Sequence, residues 1–123
     1  MKYEKAFDIE ERAKEIISKL KLSHIKINDI ACIRSFGSKS NAIARCHALG
    51  KVMQKALDRK AFYTLEFISE KFDKMSQEDK IKTIIHELMH IPKAFGGGFK
   101  HHDYVCERNI NKLYQEYKQR ENG

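Results

Sequence analysis

Five consecutive residues, His86-Glu87-Leu88-Met89-His90, have the types and spacing of a metal-activated hydrolase. On a helix, residues four apart lie one above the other, so His86 and His90 can aim two imidazoles at a single ion. Glu87 then stands one step round the helix, close enough to hydrogen-bond a water on that ion without ligating it. Zn2+ held in this way lowers the pKa of its water to about 7, and the carboxylate takes the proton as general base. The surrounding Ile81, Ile84, Ile85, Leu88, Met89 and Ile91 are apolar, which predicts a helix buried on most sides. Burying a glutamate and two histidines there is costly without partners, and a metal supplies them.

Two histidines leave a catalytic zinc site incomplete, since such sites use three protein ligands plus water. Pro92 should end the helix, and Gly96-Gly97-Gly98 lets the chain reverse and return to the metal near His101 or His102. Helical phase favours His102. Cys106, Ile110, Leu113 and Tyr117 form the apolar stripe of a last helix, and four residues back from Cys106 is His102. The same step from Val105 reaches His101, on a face continued by Asn109 and Lys112, so His101 is the alternative third ligand. Asp103 could instead be the N-cap and leave both histidines in a loop; Asp103 and Glu107 are further candidate ligands. Tyr104 is a candidate donor to an oxyanion. His24 reads as a surface or capping residue, Cys106 as a core thiol, and His47 as a strand residue pointing away from its neighbour Cys46.

These residues need elements to position them. Asp8 with Glu11 reads as a capping box opening a first helix, on which Ala13, Ile16, Ile17 and Leu20 mark one face. Residues 25–36, 42–48 and 62–68 read as three strands, separated by a turn at 37–41 and by a short basic amphipathic helix at 50–59. Ser76 with Asp79 opens the motif helix, expected from about 77 to 91, and the last helix spans roughly 104–120. The layout predicts an α+β domain: an N-terminal helix, a small, mostly antiparallel sheet of about three strands, a buried motif helix and a C-terminal helix.

A chain of 123 residues fits one domain, 1–123. Hydrophobic content of 41% and charged content of 33% are those of a globular protein. No apolar run approaches the roughly 20 residues of a membrane helix, and the N-terminus lacks a signal-peptide apolar segment, so a cytoplasmic location is expected. The three cysteines are widely spaced, with no CxxC pair, which excludes a zinc ribbon and argues against a disulfide framework. A net charge of +7 suits an anionic partner. Its most concrete form is Lys51, Lys55, Arg59 and Lys60, which could hold a nucleic-acid backbone if they share a face.

The stretches SKSNAIARCHALGKVMQKAL, FYTLEFISEKFDKMSQEDK and IIHELMHIPKAFGGGFKHH resemble the archaeal and phage metallopeptidases, minimal zincins related to the SprT-like proteases. The resemblance covers about half the chain, from Asn41 to Asp103. It implies a zincin-like core of helices on a small sheet, zinc bound through HExxH and a later histidine, and action on proteins, some of them attached to DNA. It also tilts the third ligand toward His102, which sits where such sequences place a histidine after a glycine turn. Metzincin spacing is not met, because Lys93 and Gly96 stand three and six residues after His90. In zincins the substrate lies along an edge strand above the motif helix, expected here to be 62–68.

The leading expectation is therefore a zinc-dependent endopeptidase with Glu87 as general base. A metal-dependent nuclease and a non-catalytic zinc-binding protein are the alternatives. The second would require a fourth protein ligand, as when His101 and His102 both close the site.

Overall fold

The apolar face of the first helix forms as its spacing predicts. In the computed structural model, which describes residues 1–101 and 104–121, α1 (Phe7–Lys19) buries Ile9, Ala13, Ile16 and Ile17. Its cap differs from expectation. The N-cap is Ala6, with no side-chain bond. Asp8 instead accepts two bonds from Arg34, at 2.7 and 2.8 Å, and Asp73 takes the same guanidinium at 3.2 Å. A bidentate, charge-assisted pair outweighs one bond to a helix amide.

Four strands form the sheet: β1 (Lys2–Lys5), β2 (Ile30–Phe36), β3 (Ala44–Ala48) and β4 (Tyr63–Ile68), in the order β1-β2-β4-β3. β1 was not expected. Its KYEK sequence alternates without an apolar face, and all four residues are exposed. The sheet is also mixed: β2 and β4 run parallel, while the pairs on either side are antiparallel as expected. The chain from β2 to β3 passes over β4 and leaves room for β4 to insert between them. As a result β4, the 62–68 segment expected at the edge, lies in the interior, and β3 is the edge strand.

Alternation along each strand sorts the side chains onto two faces. Ile30, Cys32, Tyr63, Leu65 and Phe67 join α1 in the core, and Ala44, Cys46 and Ala48 pack against it. The core is completed by α4 (Gln77–Met89) and α5 (Glu107–Glu121). The helix over 50–59 is present as α2 (Lys51–Leu57) but buries none of its residues; Val52, Met53 and Leu57 are exposed. A short α3 (Ser69–Phe72) leads from β4 toward α4. Among the described residues no helix is long and apolar enough to cross a membrane.

Candidate metal centre

The motif helix starts where its capping signature places it. The Ser76 hydroxyl accepts from the Asp79 amide at 3.1 Å, and Glu78 and Asp79 fill the acidic first turn. It ends at Met89, with His90 as C-cap, two residues short of the expected limit and just before Pro92. The rings of His86 and His90 lie on one face, with centroids 5.1 Å apart. Glu87 is 6% exposed and sits on the core side, with its carboxylate 3.9 Å from His86 Nε2. Burial pushes its carboxyl up to about 7.

The loop after the helix is built to return to it. The Lys100 amide donates to the His90 carbonyl at 2.8 Å, and the Lys100 carbonyl lies 2.9 Å from His90 Nδ1. A carbonyl can only accept, so Nδ1 carries the proton and Nε2 holds the lone pair that a metal needs. Between them the chain turns through Phe95 and Gly97, both at positive φ. At Gly97 an added Cβ would lie 2.8 Å from both the Leu49 carbonyl and Gln54 Nε2, so both angle and space call for glycine. Tyr63, fully buried on β4, pins the turn. Its hydroxyl donates to the Gly98 carbonyl at 2.8 Å and accepts from the Gly97 amide at 2.9 Å. Gln54 adds bonds to the Leu49 and Gly96 carbonyls. Sequence reasoning missed both residues: Tyr63 read only as a strand aromatic, and nothing in the sequence marks Gln54.

Among the described residues no three His, Cys, Asp or Glu side chains come together as a metal-holding group. His101 is exposed, and its carbonyl accepts from the amides of Tyr104 and Val105. His102 and Asp103 lie outside the described residues. The phase reasoning that chose His102 does not carry over, because residues 104–106 form turns and α5 starts only at Glu107. Of the expected stripe Ile110 and Tyr117 are buried, while Cys106 and Leu113 are only partly buried and Val105 and Tyr114 complete the buried face. Tyr104 is half exposed, with Lys100 Nζ 5.1 Å above its ring.

The remaining candidates have structural occupations. His24 Nε2 lies 3.2 Å from the Ile91 carbonyl, tying down the end of the motif helix. His47 points away from the helices and meets Glu66 at 2.7 Å, while Cys46 faces the site. Burial and the charge of Glu87 push the Cys46 thiol up to about 12, so it is no nucleophile at neutral pH. Lys51 and Lys60 line a groove with Lys26 and Asp29; Arg59 pairs with that Asp29 at 3.3 Å and stacks on Phe62.

Among the described residues, the edge strand beside the motif helix leaves part of its main chain without a partner. Ile43 and Leu49 bond to β4 through Ile68 and Phe62, so alternation assigns the ladder to 43, 45, 47 and 49. The amides and carbonyls of Ala44, Cys46 and Ala48 therefore point outward. Next to this edge a cleft of about 680 Å3 opens between α4 and α5, with His86 and Glu87 in its wall.

The donor set fits a metal. It has two imidazoles on one helical face, one held in the ligating tautomer, and a buried carboxylate beside them whose described ion-pair partner is His86 itself, at 3.9 Å. Residues 1–120 match the model of a family described as "Putative phage metallopeptidase". No curated protein and no solved structure matches the chain.

Proposed function

The chain belongs to this phage metallopeptidase family, and on that premise we propose that it is a zinc-dependent endopeptidase with Glu87 as general base. His86, His90 and His102 would hold the ion. Bound there, zinc would supply Lewis-acid polarisation of the scissile carbonyl and a lowered pKa for water at the site.

The chain's own residues account for the rest. The Lys100 carbonyl fixes the His90 ring and raises the basicity of Nε2. Glu87 takes the proton of the attacking water and returns it to the leaving amine, roles that suit a carboxylate near 7. An extended peptide adds to the outward main chain of Ala44, Cys46 and Ala48, whose small side chains keep the strand close to the motif helix. The observation that carries this reading is the geometry of α4 itself: paired imidazoles beside a buried carboxylate, with His86 and Glu87 in the wall of a cleft next to a strand edge.

Incubation of the purified protein with unfolded casein, with and without chelator, tests it. The expected result is new α-amino groups, lost on chelation and restored by zinc, while an RNA control stays intact. Chelator-resistant proteolysis, or cut RNA beside intact casein, would overturn it.

Lys26, Lys51 and Lys60 line one groove beside the glycine turn, and its carboxylate, Asp29, is paired with Arg59, which supports a nucleic-acid contact near the site. On this reading substrates are proteins carried on nucleic acid, and oligonucleotide binding weakens steeply as salt rises; binding indifferent to salt contradicts it.

A further inference from the structure

The cleft that begins at His86 and Glu87 continues along α4 beyond any need of a metal site. Its floor is apolar, made by Met75, Val105 and Ile110, the last two 2% and 8% exposed. Two carboxylates also line it, Asp79 from the first turn of α4 and Glu107 from the first turn of α5. Asp79 precedes His86 by two helical turns, about 10 Å along the axis. Among the described residues neither carboxylate belongs to an ion pair. The one lysine on this wall, Lys82, is held by Glu78, with Nζ at 3.0 Å and over the Tyr114 ring, and its charge also reaches Asp79. The cleft lining thus carries more acid than base, Asp79, Glu87 and Glu107 against Lys82, in a chain whose net charge is +7.

We infer that this cleft is the pocket for a substrate side chain beside the scissile bond, and that it selects lysine or arginine. The aliphatic stem lies on the floor of Met75, Val105 and Ile110, and the charged head reaches Asp79 and Glu107. An apolar side chain covers the same floor but leaves both carboxylates without a partner. A glutamate is repelled by them. First-turn acids also complement the helix dipole, but that role requires no apolar channel leading from them to the motif.

The place of this pocket in catalysis rests on the peptidase reading; its binding preference does not, which lets the two fail separately. A matched set of fluorogenic peptides would carry lysine, arginine, norleucine or glutamate at each position flanking one bond. Zinc-loaded wild type is expected to favour the basic peptides over norleucine by about 5- to 10-fold in kcat/KM, the worth of two partly exposed ion pairs. The Asp79→Asn/Glu107→Gln double variant should lose that ratio, and Glu107→Lys alone should shift preference toward glutamate. Ratios within one preparation are insensitive to a partly unfolded fraction. In parallel, calorimetric titration of the Glu87→Gln protein reads binding of the lysyl and norleucyl peptides without turnover. Cleavage with no basic preference, or an unchanged ratio in the double variant, overturns the pocket and leaves the peptidase reading intact. Preferential lysyl binding with no cleavage by wild type does the reverse.

Discussion

Removing one oxygen atom far from the metal ligands should loosen the metal. In Tyr63→Phe the ring stays in the core, but the hydroxyl that bridges the Gly98 carbonyl and the Gly97 amide is lost. The Gly97 amide is partly buried and without a substitute partner, which costs about 1–2 kcal/mol; the carbonyl of exposed Gly98 can turn to water, at about 0.5–1 kcal/mol. The sum is about 2 kcal/mol. For a domain of 123 residues, between the sizes for which the conversion is tabulated, that lowers Tm by about 6–10 °C. Because the glycine turn carries the chain from His90 back to Lys100, part of this cost should appear as lost preorganisation. Zinc affinity should then fall about tenfold, the low end for a residue that orients a ligand. Thermal unfolding of the metal-free protein and competition against a chromophoric chelator measure the two effects. A Tm lowered with zinc affinity unchanged would refute the link between turn and metal. A Tm unchanged would refute the bridging bonds themselves.

Gly97→Ala should be more damaging than Tyr63→Phe. Its φ of 106° is foreign to alanine, and the new Cβ meets the Leu49 carbonyl at 2.8 Å. Strain and displacement together cost about 2–4 kcal/mol, read as a shifted urea midpoint. Asp8 gives a pH signature. Its hydrogen bonds to Arg34 hold its carboxyl below the ordinary value. The folded pKa is thus below the unfolded one, so the pair stabilises fully above about pH 4 and fades as pH falls through the folded value. Asp8→Asn should therefore lower stability at pH 7 by less than about 1 kcal/mol and not at all near pH 2, as denaturant titrations at the two pH values would report. Ser76→Ala removes the cap of the motif helix, at a cost of about 1 kcal/mol, with zinc stoichiometry retained in metal analysis.

What could be read from the sequence was local. The motif, its cap at Ser76 and the stop before Pro92 are set by residues within a turn of one another, and each stands where its chemistry puts it. The core face of α1 followed from spacing alone. What failed depended on residues far apart in the chain. β1 carries no apolar alternation, so only its pairing with β2 reveals it. The insertion of β4 between β2 and β3 is a matter of topology, and it put Ala44–Ala48 rather than 62–68 at the edge of the sheet. Asp8 looked like a cap because the distant Arg34 was invisible. Around the site, Tyr63 and Gln54 support the glycine turn through contacts more than thirty residues away, and single-sequence spacing does not encode them. The phase argument for His102 over His101 rested on a helix extended to 102, whereas residues 104–106 are turns; His102 itself lies outside the described residues.

The account's central claim is that Glu87 moves a proton and does not hold the metal. The most direct measurement is zinc content and casein cleavage on the same preparation of Glu87→Gln, beside wild type. The account predicts one zinc per chain in both and cleavage reduced at least about 100-fold in the variant, at the low end for loss of a general base. Cleavage at the wild-type rate, or loss of the zinc together with the activity, would contradict it.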